Sequence, residues 1–110
     1  MPDSTPNSLS DLQDQASDAA TFLKQLANEK RLLILCRLGE GEATVSELCG
    51  VAGLSQSAMS QHLAKMRADG LVAGRKEGLQ VFYSIADPRC LGILHQLKST
   101  FCIAAGELGR

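Results

Sequence analysis

Four thiols and two imidazoles are the readiest candidates for covalent or metal chemistry in this 110-residue chain: Cys36, Cys49, Cys90, Cys102, His62 and His95. No two cysteines stand in Cys-x-x-Cys spacing, so neither a zinc ribbon nor a thioredoxin-type centre has its framework. Cys49 has Val51, not a second thiol, two residues on, and His95 has no carboxylate or second histidine one turn away. Zinc or arsenic would need three or four clustered ligands, so no metal site and no cofactor is expected, and Cys49 and His95 read as packed side chains. No base, nucleophile and orienting group line up as an enzyme requires. Cys36 falls inside the apolar run Leu32-Leu33-Ile34-Leu35-Cys36, and Cys102 lies close to the C-terminus. On residue types alone each is open between an inert thiol and a redox centre.

A second set of side chains suits recognition. Ser55, Gln56, Ser57, Ser60, Gln61 and Lys65 fall on one predicted helix, with Arg75 and Lys76 on a hairpin after it. At about 100° per residue, Met59, Leu63 and Met66 form one stripe, and Ser57, Gln61, Ala64, Lys65 and Ala68 lie roughly opposite. A face of small residues lets a helix enter a major groove about 12 Å wide, where Gln and Ser bond to base edges. Ser55, Gln56 and Ser57 also place hydroxyl, amide and backbone donors at a helix N-terminus, which suits a phosphate. The same face would equally serve an ordinary solvated helix.

The elements that must position these groups are legible from period and punctuation. Residues 1–8 are polar with two prolines and read as a disordered arm. Ala16, Ala19, Ala20, Leu23 and Leu26 recur at helical spacing in a first helix. Asn28 caps a second, apolar all round and therefore central, which Gly39 and Gly41 end. Thr44-Val45-Ser46-Glu47 is a capping box opening a short third helix that ends near Gly53. Ser55 caps the fourth, which runs to Asp69 with Gly70 beyond it. Two helices joined by this short turn are a helix-turn-helix. Val81, Tyr83 and Ile85 then alternate with Gln80, Phe82 and Ser84, so a hairpin is expected with its turn at Glu77-Gly78. Asp87-Pro88 starts a fifth helix carrying Leu91, Leu94, Leu97 and Phe101 past Cys102, and residues 106–110 are expected to fray. The predicted fold is mainly α with a two-stranded wing: a winged helix-turn-helix domain over residues 9–105.

Composition is compatible with this. Apolar residues make up 45% and aromatics only 4%, which favours Leu- and Ala-rich helical packing. The net charge of −1 argues at first against nucleic acid. However, Asp3, Asp11, Asp14 and Asp18 are the only charged side chains in the first twenty residues, leaving eleven basic against eight acidic groups in the rest. The body is mildly basic, and one copy would bind DNA weakly, so a homodimer on a palindrome is expected. The N-terminus offers no basic and apolar export segment and no apolar run approaches a membrane span, so a cytoplasmic setting without membrane contact is expected.

Leu26-Ala27-Asn28-Glu29-Lys30-Arg31-Leu32-Leu33-Ile34-Leu35-Cys36, Val45-Ser46-Glu47-Leu48, Leu54 to Leu63, Asp69-Gly70-Leu71-Val72 and Val81 to Ile85 together resemble the ArsR/SmtB family of winged-helix repressors. The resemblance covers roughly residues 19 to 102. It implies a homodimer joined through its first and last helices that holds operator DNA and releases it when an inducer acts. Cys36 and Cys102, in their local contexts, are similar to the sensor pair of the family's sulfide- and persulfide-responsive branch. What that resemblance implies is a thiol switch in which reactive sulfur species such as persulfides bridge Cys36 to Cys102. A general peroxide or thiol sensor and a metal-responsive repressor are the alternatives.

Overall fold

The computed structural model describes residues 9–101. The predicted arm at residues 1–8, Cys102 and the predicted tail at residues 106–110 lie outside the described residues. Five helices and three short strands follow in the order α1 (Leu9–Leu26), α2 (Glu29–Leu38), β1 (Ala43–Thr44), α3 (Val45–Ala52), α4 (Gln56–Ala68), β2 (Val72–Glu77), β3 (Gln80–Ile85) and α5 (Arg89–Phe101).

The caps foreseen in the sequence are the ones that set these boundaries. Asn28 accepts from the amides of Lys30 and Arg31 and opens α2. Thr44 and Glu47 make both bonds of the capping box, Thr44 N–H donating to Glu47 Oε1 at 2.8 Å and Glu47 N–H to Thr44 Oγ1 at 3.2 Å. Ser55 Oγ accepts from the Ala58 amide at 3.1 Å and opens α4. Between α3 and α4, Gly53 sits at φ 67°, a left-handed conformation that lets the chain reverse within three residues.

The expected two-stranded wing is present as β2 and β3, and the sheet gains a third strand. β1 joins its edge, giving the antiparallel order β1-β3-β2 with Ala43 opposite Tyr83 and Val72 opposite Ile85. A two-residue strand leaves no alternating pattern to read, because its burial is decided by β3 across from it. The hairpin turn is Gly78-Leu79, one residue later than expected, since Glu77 pairs with Gln80. Gly74 is closely approached: a Cβ there would stand 3.2 Å from both the Tyr83 ring and the Val81 side chain, which would have to give way by a few tenths of an ångström.

The core is formed by Ile34 and Leu35 of α2, Leu48 of α3, Met59, Leu63 and Met66 of α4, Leu71, and Cys90 of α5, all fully buried. Each Leu, Ile or Met contributes about 1.5–3 kcal/mol by leaving water. The expectation that α2 is enclosed all round is corrected by Leu33, which is 37% exposed. α5 starts at Arg89, just past the expected Asp87-Pro88, and the Asp87 carboxylate accepts from the Arg89 amide at 3.0 Å. On α1 only Phe22 and Leu26 are buried, while Leu9, Leu12 and Leu23 are exposed. Among the described residues no helix is long and apolar enough to cross a membrane.

Candidate nucleic-acid interface and thiol cleft

α4 is held from beneath by Met59, Leu63 and Met66, so its opposite face is fixed in direction by the core. Ser55, Gln56, Ser57, Ser60, Gln61 and Lys65 are all exposed, as the helical period required. The N-terminal end of α4 follows directly on the Gly53 turn, with Ser55 and Ser57 both exposed there and the Ser55 hydroxyl accepting from the Ala58 amide as the cap. Lys65 lies one turn from Asp69 and bonds to it at 3.3 Å, the lysine exposed and the aspartate side chain largely buried.

Two basic side chains that sequence patterns did not single out hold this unit. Lys30 Nζ donates to the Ala52 carbonyl at 2.7 Å, tying the start of α2 to the end of α3. Arg31 Nη1 donates to the Gln25 carbonyl at 2.8 Å, fixing α1 against α2. Both bonds go to carbonyls at helix ends, where acceptors are left over. Neither bond has a sequence signal, because its acceptor is a backbone atom brought near by the tertiary fold.

The wing places its two predicted cations differently. Lys76 is exposed and makes no ion pair among the described residues. Arg75 is engaged on three sides. Its Nε and Nη2 donate to the two carboxylate oxygens of Glu42 at 3.1 and 2.8 Å, its Nη1 donates to Glu77 at 3.1 Å, and its guanidinium lies 4.9 Å from the Phe82 ring centre. Hydrogen bonding to Arg75 holds the Glu42 carboxyl below its ordinary range, so it is ionised at neutral pH.

The thiols fall into distinct surroundings. Cys90 is fully buried, and burial pushes its thiol up, with the Asp87 carboxylate acting in the same direction. Cys49 is half-buried on α3 against the core. Cys36 is half-buried and faces α5. It lines a cavity of about 530 Å³ with Leu32, Leu33, Leu97, Lys98 and Phe101, and a smaller cleft of about 220 Å³ with Leu91, Leu94, His95 and Lys98. His95, which the sequence left isolated, therefore shares a cleft with a thiol. Cys102 lies outside the described residues, but the residue before it, Phe101, is on the wall of the larger cavity. Among the described residues no three His, Cys, Asp or Glu side chains gather as a metal-holding group.

Several proteins similar to this chain are transcriptional regulators. The sequence model of the family described as "Bacterial regulatory protein, arsR family" matches residues 28–73, from the cap of α2 into β2. The Transcriptional activator HlyU of Vibrio cholerae is 42% identical over 99 residues, which is 90% of this chain and 92% of that protein. A solved structure described as reduced HlyU from Vibrio cholerae superposes with a TM-score of 0.77 at 42% identity, covering 86% of this chain and 99% of that one. The transcriptional repressor BigR from Xylella fastidiosa superposes with a TM-score of 0.82 at 33% identity, covering 86% and 97%. With relatives this similar over most of its length, the chain belongs to the ArsR family of winged-helix, DNA-binding transcriptional regulators.

Proposed function

We propose that this protein is a thiol-based repressor that holds operator DNA when reduced and releases it when Cys36 and Cys102 are bridged. The observation that carries the reading is the cleft between α2 and α5, where Cys36 and Phe101, the neighbour of Cys102, line one apolar cavity. That a structure of a relative is described as reduced supports a redox distinction in that protein.

The chemistry balances with a sulfane-sulfur donor as oxidant. One thiolate attacks the outer sulfur of a persulfide RSSH, giving a cysteine persulfide and RS⁻. The second thiol then attacks the inner sulfur of that persulfide, forming the disulfide and releasing H₂S. If both cysteines carry persulfides, their condensation gives a trisulfide with loss of one H₂S. A direct disulfide needs Cα atoms about 4.4–6.8 Å apart, whereas an inserted sulfur spans more and favours persulfide over peroxide.

DNA recognition is assigned to Ser55, Gln56, Ser57, Ser60, Gln61 and Lys65 on α4 and to Lys76 on the wing. Two copies joined through α1 and α5 would present two such helices to a palindromic operator. Leu9, Leu12, Leu23, Leu91 and Phe101 support that join, being large apolar side chains exposed on those two helices. Coupling runs through α2, which carries Cys36, reaches α3 through Lys30 and packs on α5. Drawing α2 toward the end of α5 would shift the helix-turn-helix it braces.

Mass mapping after treatment with inorganic polysulfide, peroxide or zinc, with operator affinity measured in parallel, tests the reading. The expected result is a Cys36–Cys102 link carrying added sulfur and weaker binding. Equal affinity before and after polysulfide overturns it, a link formed by peroxide alone favours the general thiol sensor, and release by zinc without a link favours a metal-responsive one.

A further inference from the structure

Arg75 would be the natural wing contact for DNA, yet each of its three guanidinium nitrogens already donates to a carboxylate. It spans from β2 across its cross-strand partner Phe82 on β3 to Glu42, the residue before β1, and so ties all three strands together. The Glu42 end is itself held: Arg37 of α2 donates to the Gly41 carbonyl at 3.1 Å, bracing the loop that presents the carboxylate. The fork geometry is the bidentate arrangement that Arg makes with a carboxylate or a phosphate, and here the carboxylate occupies it. With Glu77 on the third donor, the group of Arg75, Glu42 and Glu77 carries a net charge of −1. Moving Arg75 onto a DNA phosphate would leave two uncovered carboxylates beside the polyanion.

We infer that Glu42 is a positioning residue for the wing: with Glu77 it cages Arg75 over Phe82, so that Arg75 braces the hairpin while Lys76 is the wing cation that meets phosphate. The inference rests on the DNA-binding function of the family and is independent of the thiol chemistry. It reassigns Arg75 from DNA ligand to brace and gives Glu42, which no motif marks, a role in setting the charge the wing presents.

The test is the salt dependence of binding to a mixed-sequence DNA duplex, because each phosphate contact contributes about 0.9 to the slope of log affinity against log salt. Lys76→Ala should flatten the slope by about 0.9. Arg75→Ala should leave the slope unchanged and weaken binding uniformly, by no more than about fivefold, as expected for loss of an exposed brace. Arg75→Lys, which keeps the charge and loses the fork, should not restore affinity. Removing both carboxylates in Glu42→Gln/Glu77→Gln should free Arg75, tighten binding and steepen the slope by about 0.9. Adding Arg75→Ala to that double variant should then abolish the gain. A slope flattened as much by Arg75→Ala as by Lys76→Ala in the wild-type background, or a double variant with an unchanged slope, overturns the proposal. Wild-type protein with no salt-dependent binding would overturn the DNA reading and the cage with it.

Discussion

Ser57 and Gln61 stand exposed on one face of α4 while Met59, Leu63 and Met66 bury the other, so their position is fixed by a single helix on a single core. Cys36 has no such independence. Its surroundings are Leu32 and Leu33 of its own helix and Leu91, Leu94 and Leu97 of α5, so its environment exists only while α2 and α5 keep their spacing. The first region is held in direction by a buried stripe and has little reason to move. The second is a seam between two elements, and chemistry at a seam changes their relation. On the function proposed above, one region would read DNA and the other would sense, and the α2–α3 tie through Lys30 lies between them.

The sharpest way to break that contrast is Cys36→Ser. If the seam is the switch, polysulfide should weaken operator binding of the wild type by about 5- to 150-fold, corresponding to a coupling of about 1–3 kcal/mol. Cys36→Ser should bind the operator like the untreated wild type and show no response, measured by fluorescence anisotropy before and after treatment. A Cys36→Ser protein that still releases DNA would place the switch elsewhere.

Gln61→Ala addresses the other region. If Gln61 reads base edges, its loss should reduce the preference for operator over mixed-sequence DNA by about 1–3 kcal/mol. Stability should stay within about ±0.5 kcal/mol, because the side chain is exposed and touches nothing in the core. The polysulfide response should persist in fold terms. A fall in operator and mixed-sequence binding by the same factor would mean that Gln61 contacts backbone and not bases.

How much of each region could be read beforehand follows from the same difference. α4 was legible because its cap Ser55, its buried stripe and its exposed face all lie within one helical period. The wing's β3 was legible from the alternation of Val81, Tyr83 and Ile85, whereas β1 was not, because two residues carry no period. The approach of His95 and Lys98 to Cys36 could not be seen, since it depends on how α5 lies across α2 and not on any spacing along the chain. Glu42 was invisible for the same reason: its partner Arg75 is 33 residues away and reaches it only after the sheet has formed. Interactions within one element are written in sequence periodicity. Those between elements are written in packing, and of these the resemblance to a family pointed only to the pairing of Cys36 with Cys102 and the joining of the first and last helices.

Ser55 has one role that is seen and one that is proposed, since it caps α4 and is assigned to the DNA interface. Ser55→Ala should cost about 1 kcal/mol of stability, read by urea denaturation, through loss of the bond to the Ala58 amide. Ser55→Asp separates the two roles. An aspartate keeps the cap and suits the helix N-terminus, so stability should be retained. Its negative charge opposes phosphate, so DNA affinity should fall most at low salt. Equal DNA binding by the Asp variant would remove Ser55 from the interface and leave it a cap.

The smallest expected effect is at Cys90, and it sharpens what distinguishes a seam thiol from a core thiol. Cys90 is fully buried and burial raises its thiol above the ordinary cysteine value, so at neutral pH it is held protonated and a poor nucleophile. A neutral alkylating reagent should therefore label Cys36 in the native protein well before Cys90, which reacts only as the chain unfolds. Because the folded state holds this proton more tightly than the unfolded state, the contribution of Cys90 to stability is fully present below the ordinary thiol value. It is lost as pH rises through the raised one, with a slope of at most about 1.4 kcal/mol per pH unit. Cys90→Ala should remove that alkaline loss while leaving the polysulfide response within about twofold of wild type, as for independent sites. Native-state labelling of Cys90 at the rate of Cys36 would show that α5 opens readily from the core, and the contrast between a fixed recognition face and a movable seam would then have to include the whole of α5.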